Sequence, residues 1–437
     1  MRRLLATVVL GLVTCVSVSF AQLPTVWQKS NATGNLPTWF NTSSAQRNLA
    51  YGNVGGKNRL YITYANKTLS PILILDAATG DSVGTLDTTG ISGGIFPLND
   101  IEVSFDGVIF AANLTLNAQT SAFKVYKWTS ESAAPTLVIS YADSAYRLGD
   151  HITVTGSTAD NSVTIWAAAT GKKAVVKFTT ANNGASFTPT VIALNDTVTT
   201  SATPKVYPAG NDFFVSSAGD GIREYDASGN LLGAVASMPT TIGSMAYIAG
   251  GSPMKAYVLG YNYTSAQPGG TPPQFVQVVD VTNGINTADS VAATPVLGTA
   301  MNLNGTGDIA VEKNGDGTVT VYVLATNNGL GAFTFNAKLT AISGQGESTP
   351  TSYVLSQNYP NQFNPTTQIE YSIPGNSFVT LRVYNVLGQE VATLFSGNRK
   401  AGNYSATFDA SRFASGVYFY RLHAGSFSSV KKMLLLK

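Results

Sequence analysis

Over the first three quarters of the chain, apolar runs of strand length alternate with polar turns, and the pattern returns about every fifty residues. The plainest member is Ile72-Leu73-Ile74-Leu75-Asp76, closed by the turn Ala77-Ala78-Thr79-Gly80. Equivalent runs follow at 124–130, 175–182, 223–229, 277–284 and 332–336. Ahead of each stands a pair of β-rich segments joined by a turn: 48–51 into 60–63, 99–103 into 108–111, 150–154 into 162–166, 204–207 into 213–215, 244–247 into 255–259 and 308–311 into 318–323. A further run, such as Ser82-Val83-Gly84-Thr85-Leu86 or Leu137-Val138-Ile139-Ser140, makes four strands per repeat. A unit of that size cannot bury both faces alone, so the repeat predicts radial stacking into a six-bladed β-propeller over 22–342. Seven blades, or an array of sandwiches, are the alternatives. The last repeat lacks an outer strand, and Thr25-Val26-Trp27-Gln28-Lys29 is expected to supply it and so remove an open sheet edge.

A polar stretch, Ser343-Gly344-Gln345-Gly346-Glu347-Ser348-Thr349-Pro350, then interrupts the pattern, and 343–352 reads as a linker. From Tyr353 onward strand periodicity resumes at a different spacing. Val379, Leu381 and Val383 alternate with Thr380, Arg382 and Tyr384, while Val417, Phe419 and Arg421 alternate with Tyr418, Tyr420 and Leu422. Leu387-Gly388-Gln389, Ala401-Gly402-Asn403 and Ser415-Gly416 punctuate these runs as turns. About seven short strands without helix signals predict a small immunoglobulin-like β-sandwich over 353–437.

Three groups of residues in this block carry a resemblance. The first is Leu355-Ser356-Gln357-Asn358-Tyr359-Pro360-Asn361-Gln362-Phe363-Asn364-Pro365; the second runs from Val383-Tyr384-Asn385-Val386-Leu387-Gly388 to Leu394; the third joins Gly416-Val417-Tyr418-Phe419 to the closing Lys431-Lys432-Met433-Leu434-Leu435. In this order they resemble the type A C-terminal sorting domain of the type IX secretion system. Gln362 stands where that family usually repeats proline. The resemblance implies export across the outer membrane of a Bacteroidetes-like bacterium, handling by the type IX translocon and its sorting machinery, and removal or surface anchoring afterwards. It assigns the sorting signal to Asn358, Pro360, Asn364, Pro365, Tyr384, Asn385, Gly388, Gly402, Gly416, Tyr418, Lys431 and Lys432.

The other end of the chain agrees with export. Arg2-Arg3, an apolar run from Leu4 to Val18 and Ser19-Phe20-Ala21 before Gln22 read as a secretory signal peptide over 1–21. A lipoprotein leader using Cys15 is the rival, but Thr14 precedes it where a small Gly or Ala is wanted. The run is too short to stay as a membrane helix, and none later approaches the required length. Cys15 is the sole cysteine, which excludes disulfides and thiolate chemistry from the mature chain. Without Arg2 and Arg3 the 24 acidic residues meet 24 basic ones, so no field favours nucleic acid.

Candidate chemistry is sparse. Asp100, Asp150 and Asp308 hold matching places at the starts of innermost strands, where three carboxylates would suit a hard cation such as Ca2+. The competing reading has each Asp accepting backbone amides in its turn. His151 follows Asp150, and Glu102 shares a strand face with Asp100 by period two. Asn314-Gly315-Asp316-Gly317 lacks the spacing of a calcium loop and reads as a hairpin. No nucleophile elbow, zinc-protease helix motif or phosphate loop occurs, so no residue takes a catalytic label. Trp27, Trp39, Trp128, Trp166, Tyr261 and Tyr263 are candidates for an exposed aromatic face, with the Gly/Pro-rich 261–273 as the one long insertion. The expected function is a secreted or surface-held, non-catalytic module binding glycan or protein. A propeller hydrolase or lyase acting on polysaccharide, and a structural envelope protein, are the alternatives.

Overall fold

The computed structural model describes residues 21–196, 202–251, 255–263, 273–337, 353–355, 357–358, 361–399 and 402–436. The leader and the linker therefore lie outside the described residues, as do Pro360 and most of the 261–273 insertion. Among the described residues the chain is all-β apart from one short 3-10 turn.

Six four-stranded antiparallel sheets account for the region before the linker. The first sheet takes Gln46–Val54, Lys57–Tyr64, Ile72–Asp76 and Ser82–Leu86 in chain order. The second takes Phe96–Val103, Ile109–Leu114, Phe123–Trp128 and Thr136–Tyr141, and the third Thr153–Thr155, Thr164–Ala168, Ala174–Thr179 and Thr188–Ala193. Ala202–Ala209, Asp212–Ala218, Gly221–Tyr225 and Leu231–Ala234 form the fourth. Ile242–Gly250, Lys255–Asn262, Phe275–Asp280 and Asp289–Ala293 form the fifth, with Ala21–Gln22 added in parallel at its edge. In the sixth, Gly307–Lys313, Val319–Ala325 and Gly329–Phe335 are completed by Thr25–Ser30, which pairs antiparallel with Gly329–Phe335.

The short apolar runs are nearly continuous because both faces of each sheet are covered. In Ile72-Leu73-Ile74-Leu75, Ile72 and Ile74 enter a core shared with the second sheet, while Leu73 and Leu75 enter one shared with the sixth. Side chains two apart share a face, so one strand feeds two cores. The same division repeats through the unit. Phe110 and Ile165 join a core between the second and third sheets, Trp166 and Phe213 one between the third and fourth, Phe214 and Val258 one between the fourth and fifth, and Leu259 and Val321 one between the fifth and sixth. Each fully buried Leu, Ile or Phe contributes about 1.5–3 kcal/mol.

Trp27 shows how the N-terminal strand seals the sixth sheet to the first. Its indole is half buried and packs with the apolar core between them, and its Nε1 donates to the Ala77 carbonyl at 3.0 Å. Gly80, at φ +69°, gives the ring its space, since a Cβ there would lie 2.6 Å from the indole. Trp27→Ala is expected to destabilise this region by about 3 kcal/mol, the lower end for removing a buried tryptophan. Denaturant unfolding of the purified chain checks this, and an unchanged midpoint would mean that the strand does not seal the sheet.

After the linker, Val354–Leu355, Thr366–Ile373 and Gly402–Asp409 form one sheet, and Glu390–Arg399, Ser377–Tyr384, Gly416–Ala424 and Phe427–Leu435 a second. Ile369, Tyr371, Val379, Leu381, Tyr420 and Met433 fill a core of their own between them. The seven strands in two facing sheets follow the alternation read from the sequence.

Candidate functional site

The first strands of the six sheets start together. Asn48 Nδ2 donates to the Asn99 carbonyl at 2.6 Å, and Asn99 Nδ2 donates to the carbonyls of Gly149 at 2.7 Å and Asp150 at 3.1 Å. Gly149 is required at this junction: with φ +91°, a Cβ would sit 1.9 Å from the Asn113 carbonyl oxygen. Thr153 Oγ1 donates to the Val206 carbonyl at 2.6 Å. The first strands of the first and sixth sheets meet where the Leu49 amide donates to Asp308 Oδ2 at 3.2 Å.

At these starts lies a group of ionisable residues, buried apart from the partly exposed Glu102: Asp100 and Glu102 from the second sheet, His151 just before the third, Lys205 from the fourth and Asp308 from the sixth. Asp100 and Asp308 are 0% exposed, and His151 and Lys205 1%. Asp308 is the most heavily bonded. Its Oδ1 accepts from Lys205 Nζ at 2.7 Å, Ser244 Oγ of the fifth sheet at 2.5 Å and its neighbour's amide, Ile309 N, at 2.9 Å. Lys205 Nζ also lies 3.3 Å from Glu102 Oε1. Asp100 accepts the Ile152 amide through Oδ2, which stands 4.0 Å from His151 Nδ1. Through these contacts every one of the six sheets reaches the group.

The electrostatics follow from one cation among three carboxylates in a dry setting. Burial pushes Asp100 well above the carboxylate range, and the neighbouring Asp308 charge adds to the effect. Burial likewise raises Glu102, against the pull of Lys205, to about 7. Burial alone would raise Asp308, but the attraction of Lys205, with the hydrogen bonds from Lys205 and Ser244, outweighs it and lowers the carboxyl. Burial alone would depress Lys205, but Asp308, Glu102 and Asp100 together raise it. His151 falls to about 4, chiefly through burial, and is neutral at ordinary pH.

Of the three carboxylates picked out in the sequence, Asp100 and Asp308 come together and Asp150 turns elsewhere. Arg147 grips Asp150 with Nε at 2.8 Å and Nη2 at 2.5 Å, and Thr170 Oγ1 donates to it at 2.5 Å. The third group that stands beside Asp100 and Asp308 and could ligate an ion with them is the imidazole of His151. An imidazole changes the chemistry from the all-oxygen set of a Ca2+ site to one suited to d-block cations. Lys205 escaped the sequence reading. A lysine embedded among Pro204, Val206 and Tyr207 in the first strand of its sheet was the available signal.

The exposed aromatic face expected from the sequence is not present among the described residues. Trp128 and Tyr261 are fully buried, Trp166 and Tyr263 nearly so, and Trp27 and Trp39 are partly covered in the core between the sixth and first sheets. Asn314-Gly315-Asp316-Gly317 is a hairpin whose Asp316 Oδ1 accepts the Thr318 amide at 2.9 Å.

In the C-terminal sandwich, the motif residues hold turns and cross-links. Asn358 is buried, with its amide donating to Tyr420 Oη at 2.7 Å and its Nδ2 to Thr367 Oγ1 at 3.0 Å. Asn364-Pro365 leads into Thr366–Ile373, and the Pro365 carbonyl accepts the Ala410 amide at 2.8 Å. Asn385 Oδ1 accepts the amides of Leu387 and Gln389, both at 3.0 Å, in a turn completed by Gly388 at φ +77°. Arg421 lies over the Tyr384 ring, and Tyr418 Oη donates to the Ala414 carbonyl at 2.8 Å. Gly402 and Gly416 open their strands, and Lys431 and Lys432 lie in the last strand, Phe427–Leu435. Phe363 pairs with the end of that strand through the Leu434 carbonyl and the Leu436 amide, both at 3.0 Å, so the Asn/Pro motif is tied to the closing apolar run.

Comparison with known proteins gives this sandwich its meaning. Residues 357–436 match the secretion system C-terminal sorting domain. No curated protein matches the chain. Among solved structures, a DUF4623 family protein from Bacteroides eggerthii is 14% identical and superposes with a TM-score of 0.53 over 67% of this chain and 71% of that one. At this identity the likeness is one of fold. A protein of unknown function from Bacteroides thetaiotaomicron, 12% identical over 72% of this chain and 75% of that one, reaches a TM-score of 0.44. An exo-β-1,3-galactanase from Phanerochaete chrysosporium, 9% identical over 75% and 93%, reaches 0.35. The last two are too distant to argue from. Among the described residues no helix is long and apolar enough to cross a membrane. The sorting domain marks the chain as cargo of the type IX secretion system, delivered to the cell surface or released.

Proposed function

We propose that the six sheets are the blades of a six-bladed β-propeller and that the exported protein is a non-catalytic binding module. Two features support the architecture: each sheet shares a core with the next, the sixth with the first, and the six first strands meet at one buried charged group. The observation that carries the binding reading is the contrast between the inside and the surface at that end of the unit. Asp100, His151, Lys205 and Asp308 are sealed from solvent, beyond the reach of a polymer substrate. Loops at the same end present Leu69, Ile95, Leu116, Met301 and Leu303, with Leu303 76% exposed. Loops entering a first strand, or joining second to third strands, lie at one end of an antiparallel meander. Aliphatic side chains without an aromatic platform suit a protein ligand better than a sugar ring, which stacks on Trp or Tyr.

The rival reading of a polysaccharide hydrolase draws on Glu102. It is partly exposed, its pKa of about 7 suits a general acid, and the charges of Asp308 and Asp100 act on it. One experiment separates the two. A photo-crosslinker at position 303, and another at 57 on the opposite end, is presented on the exported protein to living cells, while reducing-end release is followed on a panel of polysaccharides. Discrete adducts from 303 alone, with no sugar release, are expected. Equal labelling from both ends, or sugar release abolished by Glu102→Gln, would overturn the proposal.

A further inference from the structure

The buried group is incomplete as it stands. Asp100 Oδ1 and His151 Nδ1 are fully buried and have no hydrogen-bond partner among the described residues. Leaving such buried atoms unpaired is costly. Their residues belong to a set in which one ligand atom each from Asp100, His151 and Asp308 lies within 4.8 Å of the others. Ligands bound at about 2.0–2.2 Å to a tetrahedral ion stand about 3.4 Å apart, so a contraction of at most about 1.4 Å closes the set around one ion.

We propose that Asp100, His151 and Asp308 bind a single divalent d-block cation. The donor set of one imidazole and two carboxylates fits Zn2+ or Mn2+ and is foreign to Ca2+, which takes oxygen. Outer contacts are in place as well. Lys205, Ser244 and the Ile309 amide fix the Asp308 carboxylate, and the Ile152 amide fixes that of Asp100, the kind of support that orients metal ligands. The ion joins the second, third and sixth sheets, so it acts as a clamp on the starts of their first strands.

The test uses the full exported chain, stripped with a chelator and dialysed against Zn2+, Mn2+ or Ca2+ separately. Elemental analysis is expected to find one equivalent of Zn2+ or Mn2+, a raised unfolding midpoint with that ion, and little effect from Ca2+. His151→Gln is expected to weaken retention at least tenfold while leaving the circular dichroism spectrum intact. Should that variant fail to fold, Co2+ loaded into the unaltered chain is expected to give visible absorption bands of a nitrogen- and oxygen-ligated ion. Retention of no ion, Ca2+ binding equal to Zn2+ and Mn2+, an affinity indifferent to His151→Gln, or Co2+ spectra matching free aqueous cobalt would overturn the assignment.

Discussion

A chain ended after Thr349 is expected to accumulate in the periplasm of a bacterium with a type IX system, whereas the full chain reaches the surface or the medium. The expectation rests on the independence of the sandwich. Its core, from Leu355 to Leu435, shares no residue with the six cores before the linker. A domain with its own core can fold as a unit. Phe363 joins Leu434 and Leu436, which ties the start of that domain to the end of its last strand. The truncated protein therefore retains its six sheets and loses only its route. Cell fractionation with an antibody against the six-sheet region reads the result, and delivery of both forms alike would contradict the account.

Lys205→Met is expected to destabilise the six-sheet unit by about 3–5 kcal/mol, the cost of removing one partner from a buried ion pair. Methionine keeps most of the side-chain volume, so packing changes little and the loss is electrostatic. Without the ammonium, Asp308 keeps Ser244 and backbone donors, but Glu102 and Asp100 lose the one cation that the described residues give this group. Replacement of a surface lysine such as Lys57 is expected to change stability by less than about 0.5 kcal/mol. Urea unfolding followed by tryptophan fluorescence reports the difference, because Trp128 and Trp166 are buried in two of the cores between sheets.

Much of this was legible along the chain, and the reason is local. Four strands per repeat follow from runs such as Ile72 to Leu75, whose apolar side chains on both faces require sheets on both sides. The partner of the last sheet was legible too, because Gly329–Phe335 needed an outer neighbour and Thr25–Ser30 was an unassigned β-rich run. Chemistry at the centre was harder to read, since it is assembled from residues up to about two hundred positions apart. Asp100 and Asp308 share a position in the repeat and could be aligned by period. Asp150 shares it as well, yet Arg147 three residues earlier and Thr170 draw it away, a competition that no repeat reveals. Lys205 gave only the weak sign of a charge inside an apolar strand. The tryptophans misled for a general reason: large aromatic rings serve cores between sheets as well as they serve ligands, and here Trp128 donates to the Asp87 carbonyl at 2.7 Å inside the fold.

The convergence of six sheets on one charged group is tested most directly by a double-mutant cycle on Lys205→Met and Asp308→Asn. These residues come from the fourth and sixth sheets and stand 103 positions apart in the chain. Sites that do not touch add within about 0.3–0.5 kcal/mol, whereas close charge pairs couple by about 1.5 kcal/mol or more. The account predicts that the second substitution costs far less once the first is present, with a coupling of about 2 kcal/mol. Strict additivity would mean that the two strands do not meet, and the shared centre of the six sheets would fall with it.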